Sequence, residues 1–391
     1  MTNLETFFDV EDDHDIRVKE FVDNMNLLKS MSVEEHTLYK KWEDVNFNYT
    51  KELANLRLVK NKIWKPFDLM DKERTVAQIQ ALKPKVVFVD DGPLLEDWNA
   101  LRQFISTGVF DQNIGRNLKF LVVDEPTGAY LGILNVASDV MSIKVRDAYI
   151  GWNKEQKIGA KKINNTAIGS CIVATQPFGY NFLGGKLMAC LVTSKAVRDE
   201  WENRYEDKIV GFTTTSLYGG YSMYNSIPYW KDCGNSAGKI SVKPDDKVYR
   251  YWLDYVKIKY ADEYKNIYHA DNAVGVASGV KQRILGMIFK EVGLIKSHFE
   301  HGYQRGVYFC SIYENTKEYL QNKIGYEDLK LTERYTKDVD GMLDWWRVKA
   351  IKRYEKLHAE GKLTNETLFY DDLIGMSWKD AKAKYIEQVG R

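Results

Sequence analysis

Between Arg146 and Lys239 the chain passes from an apolar strand-like run into a glycine-spotted turn and then into an amphipathic helix. The run is A-I-G-S-C-I-V-A-T (167–175), and the turn carries Gly179, Gly184 and Gly185. The helical pattern covers 187–205, and a second strand pattern covers 208–215. A strand that opens through glycines into a helix gathers backbone N–H groups and the positive end of a helix dipole at one point. That arrangement suits a phosphate or another anion.

The flanking texture places this unit. Residues 18–28, 33–42 and 51–62 are charged, with apolar residues at three-to-four spacing, which predicts helices. Strands are expected at 86–89, 118–123 and 130–136. Asp124-Glu125-Pro126-Thr127-Gly128 is the hairpin turn between the last two. A helix with Pro93 in its first turn is expected at 93–107. A further strand is expected at 239–242. Beyond 246 the pattern is mostly helical, at 249–264, 280–292, 316–323, 339–360 and 378–388, with one short strand at 308–312. The order predicts an α+β fold with one central mixed sheet and helical additions at both ends. The expected divisions are a helical region 1–83, a sheet domain 84–245 and a helical region 246–391.

The sequence excludes several function classes. No run reaches the ~18 uninterrupted apolar residues of a membrane span. The start M-T-N-L-E-T-F-F-D-V-E-D-D lacks the basic and apolar segments of a signal peptide, so a cytoplasmic protein is expected. Cys171, Cys190, Cys233 and Cys310 lie far apart with no C-x-x-C pair, which indicates free thiols in a reducing compartment. His298 and His301 form the one close histidine pair, without further ligand spacing, so no metal is predicted. The net charge of +1 shows that the chain as a whole is not a polycation, so any nucleic-acid surface must be local.

The local candidate is the basic segment carrying Arg146, Lys154, Lys157, Lys161 and Lys162, with Tyr149 and Trp152 interleaved. Its cations suit phosphate and its aromatics suit stacking on an unpaired base, so DNA, including single-stranded or modified DNA, is the expected partner. A solvated loop gives the same pattern. At the turn, Gln176, Gly179, Asn181, Gly184, Gly185 and Lys186 are the candidate cofactor-binding residues, although glycines also simply close strand–helix corners. Asn164, Asn165 and Thr175 flank the long strand as candidate site residues. Tyr218, Tyr221 and Tyr224 follow the next strand, where a phenol could protonate a leaving group. Of these, Tyr218 and Tyr224 are the catalytic candidates.

Two resemblances follow from these residues. R-D-A-Y-I-G-W (146–152), I-N-N (163–165), the passage at 177–183, E-W-E-N-R-Y (200–205) and the passage from Trp230 to Lys239 resemble the DruA family of the Druantia anti-phage systems, over roughly residues 90–245. The element order also resembles the GNAT acyltransferases and, within them, the Mom-like DNA-modification proteins. That likeness implies a turn binding the pyrophosphate of acetyl-CoA, or of another acyl or aminoacyl donor. Here the turn reads Q-P-F-G-Y-N, ending in Asn181 rather than Gly or Ala. It also implies a central strand whose N–H groups polarise a carbonyl beside a splayed neighbour. Together the resemblances imply a transferase acting on or beside nucleic acid in phage–host conflict. A non-catalytic DNA-binding or scaffolding protein that keeps the same fold is the alternative.

Overall fold

The computed structural model describes residues 11–48, 52–106, 115–216, 222–237, 242–269, 277–300, 302–367 and 369–389. Its helices are α1 (Glu11–Ser30), α2 (Val33–Glu43), α3 (Glu52–Lys60), α4 (Lys72–Ala81), α5 (Gly92–Ile105), α6 (Lys144–Ile150), α7 (Phe178–Phe182), α8 (Gly184–Leu191), α9 (Lys195–Tyr205), α10 (Asp246–Lys259), α11 (Ala261–His269), α12 (Ala277–Glu291), α13 (Thr316–Leu320), α14 (Asp338–Ala359) and α15 (Trp378–Val389). The strands are β1 (Pro84–Val89), β2 (Asn117–Asp124), β3 (Tyr130–Ser138), β4 (Thr166–Ala174), β5 (Gly211–Ser216), β6 (Lys231–Asn235) and β7 (Gly306–Ser311).

The strands form one seven-stranded sheet in the order β1-β2-β3-β4-β5-β7-β6. The fold is therefore α+β with a mixed sheet, as the pattern predicts. Each neighbouring pair is antiparallel except β4 and β5, which run parallel. The β2–β3 turn closes on its own side chains. Thr127 Oγ1 donates to Asp124 Oδ2 at 2.6 Å, and Gly128 takes the positive φ of 69° that the turn requires. The capping box of α2 is complete, with Ser32 and Glu35 satisfying each other's backbone N–H groups.

Successive strand residues point to opposite faces, so the core divides in two. On the first face Phe120, Val122, Leu134, Ile172, Phe212 and Tyr308 meet α7, α8, α9 and α14 in the largest cluster. On the second face Leu121, Ile133 and Cys171 meet α3, α5 and α15. Further along that face Val210 and Phe309 pack under α6 and α13. A separate cluster joins α1 to α10 and α12, with Phe21, Trp252 and Phe289 in edge contact.

Three details depart from the sequence expectation. The helix expected at 187–205 is two helices, α8 and α9, broken at Thr193-Ser194. Ser194 is extended there (φ −62°, ψ 161°) and starts a new helix. The strand expected at 239–242 falls, except for Val242, outside the described residues, and Val242 is not in a strand; the described edge strand is Lys231–Asn235, which pairs with β7. K-D-C-G-N has neither alternation nor β-branched residues, so its strand state comes from the partner edge and not from propensity. Finally, β7 enters the sheet from late in the chain and separates β5 from β6.

Candidate functional site

The parallel pair β4–β5 holds together for only three rows: Thr166 with Gly211, Ala167 with Phe212, and Ile168 with Thr213. Beyond these rows β4 runs on to Ala174 and β5 to Ser216 without pairing, so the centre of the sheet opens. Thr214 Oγ1 stitches the strands where pairing ends, 2.9 Å from Gly169 O and 3.3 Å from the Tyr224 hydroxyl. At the same point β4 is bulged. Asn135 faces Cys171 and Val136 faces Gly169, which leaves Ser170 as the extra residue.

Ser170 is exposed to solvent in the middle of the central strand. Asn135 Nδ2 donates to Ser170 Oγ at 2.6 Å, while Asn135 itself is only 4% exposed and its Oδ1 has no hydrogen-bond partner. Beside them Thr213 Oγ1 donates to Asp139 Oδ2 at 2.6 Å. A polar strip thus crosses β3, β4 and β5 on the second face, between two apolar clusters. An orphaned buried acceptor is unfavourable unless something donates to it. Asn135, Ser170, Asp139 and Thr213 do not stand out in the sequence. The signal is weak: a lone Asn and a lone Ser inside otherwise apolar strand runs.

The catalytic candidates fall around this opening in different ways. Thr175 is fully buried, and its hydroxyl lies 3.2 Å from both Tyr130 O and Leu131 O. Tyr224 is buried against Trp230 and Tyr308, and burial raises its phenol above the ordinary value. It therefore keeps its proton near neutrality. Asn165 ties the starts of β4 and β5 together, donating to Lys208 O at 2.9 Å and accepting from the Tyr319 hydroxyl at 3.3 Å. Asn164 is half-buried in the 3₁₀ turn that leads into β4. Tyr218 and Tyr221 lie outside the described residues.

The glycine turn is a closed corner. Gly179 N donates to Thr175 O, Tyr180 N to Gln176 Oε1 and Asn181 N to Pro177 O. Asn181 is fully buried, and its side chain binds the backbone of Thr364 at 2.7 Å. A Cβ on Gly184 would stand 2.4 Å from the Phe178 ring, and one on Gly185 3.0 Å from Met223 Sδ. Lys186 Nζ donates to Met223 O at 3.0 Å and to Asn225 O at 2.5 Å, which binds the 222–225 loop to α8.

The basic segment is divided between interior and surface. Arg146 is fully buried and bridges Asp139 and Asp147, each at 2.7 Å. Lys157 binds the other oxygen of Asp147 at 2.6 Å, and Trp152 Nε1 donates to Asp147 Oδ1 at 3.0 Å. Burial alone would raise the Asp147 carboxyl. The Arg146 charge and the donors on Lys157, Arg146 and Trp152 outweigh it and lower the pKa below its ordinary 3.8. The motif R-D-A-Y-I-G-W thereby folds into one buried network. Lys154 and Lys161 are exposed, and Lys162 lies 3.5 Å over the Tyr319 ring with its pKa lowered by burial.

Among the described residues no helix is long and apolar enough to cross a membrane. Comparison with known proteins gives the same family as the sequence motifs. The family model described as Druantia protein DruA matches residues 39–322, from within α2 to just past α13, and so takes in the whole sheet. Druantia protein DruA of Escherichia coli (strain UMEA 4076-1) is 28% identical over 235 residues, 55% of this chain and 55% of that protein. The chain thus spans about half the length of the curated relative it matches. The chain belongs to the DruA family.

Proposed function

We propose that this DruA-family chain serves in phage–host conflict as a GNAT-like transferase acting on or beside nucleic acid, passing an acyl or aminoacyl group to a base. The observation that carries this reading is the opening of β4 from β5 after three rows, with the bulged Ser170 at its mouth. N–H groups on the side of β4 that no longer pairs with β5 would be preorganised donors for a carbonyl that gains charge as an amine attacks it. Tyr224, beside the point of divergence, holds a proton that a leaving group would take.

The turn does not fit the pyrophosphate of acetyl-CoA. Its N–H groups at 179–181 are engaged internally, Gly184 is filled by Phe178, and Lys186 is bonded to two carbonyls. No step is therefore assigned to that cofactor at this place. The same closure favours the second reading, a nucleic-acid-binding or scaffolding protein that retains the fold without the chemistry.

Mass analysis of nucleosides from DNA of cells with and without the protein separates the two. The transferase reading expects a nucleoside of increased mass that disappears with the pair Asn135→Ala and Ser170→Ala. Calorimetric titration with CoA, acyl-CoA and nucleotides supplies the second arm. If no nucleoside changes mass and none of these compounds binds, the transferase reading falls and the non-catalytic one stands.

A further inference from the structure

We infer that the outward face of α14, with Tyr180 on one side and Phe67 on the other, is a docking surface for single-stranded nucleic acid. The inference deepens the nucleic-acid part of the proposed function and rests on it, but it places the binding surface away from the basic segment, whose Arg146, Trp152 and Lys157 face inward.

Helix α14 buries Met342, Leu343, Trp346, Ala350, Tyr354 and Leu357 against the sheet helices. On its opposite side stand Lys349, Lys352 and Lys356, all exposed, with Arg353 half-buried between them. These four cations sit three and four residues apart, where like charges on a helix repel. Among the described residues Lys349 and Lys352 make no salt bridge. Lys356 has one long contact, 3.8 Å to Glu360, and the nearby carboxylates have closer partners, Glu355 in Lys72 at 3.1 Å and Glu360 in Lys362 at 2.9 Å. A helix that keeps such a stripe with so few carboxylate partners presents it to an external anion.

The aromatic component comes from both flanks. Tyr180 on α7 is 41% exposed, and the Arg353 guanidinium lies 5.1 Å over its ring. Phe67 is 73% exposed, with the Arg74 guanidinium 3.6 Å over its ring. The loop carrying Phe67 is held at the other flank of α14, where Lys72 in the helix after that loop meets Glu355 at 3.1 Å, while Tyr354 donates to Leu69 O at 2.8 Å from the buried side and His358 Nε2 lies 3.1 Å from Met70 O. Cations in a row with exposed rings, each beside an arginine, are what unpaired bases and their phosphates require. A duplex would use the cations and leave the rings idle.

The test is fluorescence anisotropy of the full chain with a labelled oligothymidine and a labelled duplex over a range of salt. The proposal expects single-stranded binding that weakens at least about tenfold when Lys349, Lys352, Arg353 and Lys356 are all changed to Gln. The dependence of log K on log salt should then flatten by roughly 0.7 for each phosphate no longer neutralised, up to about 3 for four. Phe67→Ala with Tyr180→Ala should narrow the preference for single strand over duplex, and Lys154→Gln with Lys161→Gln should leave binding unchanged. All of these side chains are exposed or half-buried, so unchanged melting curves confirm that the variants fold. Equal affinity and slope in the quadruple variant would overturn the surface while leaving the proposed function in place. Binding of duplex alone would overturn the single-strand assignment. A wild type that binds neither would overturn both this surface and the nucleic-acid part of the proposed function.

Discussion

Arg146 shows how a residue that reads as a phosphate ligand becomes a structural one. Its guanidinium meets Asp139 and Asp147 in the protein interior, and Thr213, Trp152 and Lys157 complete the donors around those two carboxylates. Removing one partner of a buried pair leaves an uncompensated charge. Arg146→Met should therefore destabilise the protein by about 3–5 kcal/mol in denaturant unfolding, and Asp139→Asn added to it should recover part of that loss. A cost below about 1 kcal/mol would mean that water enters the network. The pH dependence follows from Asp147. Its folded pKa is depressed, so its stabilisation is present above the unfolded value near 3.8 and is lost as pH falls through and below it. Wild-type stability should fall more steeply under acid than that of Asp147→Asn. Arg146, Asp147 and Trp152 are legible in the sequence as a motif. Their inward orientation is not, because it depends on Asp139 and Thr213, which arrive from the end of β3 and from β5.

The corner from β4 through α7 to α8 sets what an element can bear. Gly184 packs its Cα against Phe178, so Gly184→Ala forces a ring or a backbone to move and should cost about 1–3 kcal/mol in a thermal or denaturant melt. Gly185→Ala meets only the flexible end of Met223 and should stay within about 1 kcal/mol of the wild type, helped by the better helix propensity of alanine. If the two variants melt alike, packing on Phe178 is not what selects glycine. A ligand-binding turn and a tightly packed corner share the same glycines. Periodicity finds both and cannot separate them, since the difference lies in Phe178 and in the carbonyls that hold Lys186. The break between α8 and α9 is hidden for a similar reason. Apolar spacing continues across Thr193-Ser194, and only the extended backbone of Ser194 ends one helix and caps the next.

Across the full chain the sheet is completed late. β5 and β6 do not pair with each other, and each pairs with β7, which begins only at Gly306. The first-face core likewise draws Met342, Trp346, Ala350 and Tyr354 from α14. A chain cut after residue 245 should thus lose cooperative unfolding and expose its sheet to proteolysis, whereas the full chain should resist both. A compact, cooperatively melting fragment would show that the earlier strands suffice. Local alternation and turn chemistry were enough to specify the strands and helices of strong periodicity, the antiparallel β2–β3 hairpin, the long central strand and the α+β class. Short motifs in a fixed order carried the family as well. Folding in three dimensions settled the rest: which charges are buried, which glycines are packed, where β4 leaves β5 and which helix turns its cations outward. Each of those depends on a partner that lies far away along the chain, so no local pattern of residues encodes it.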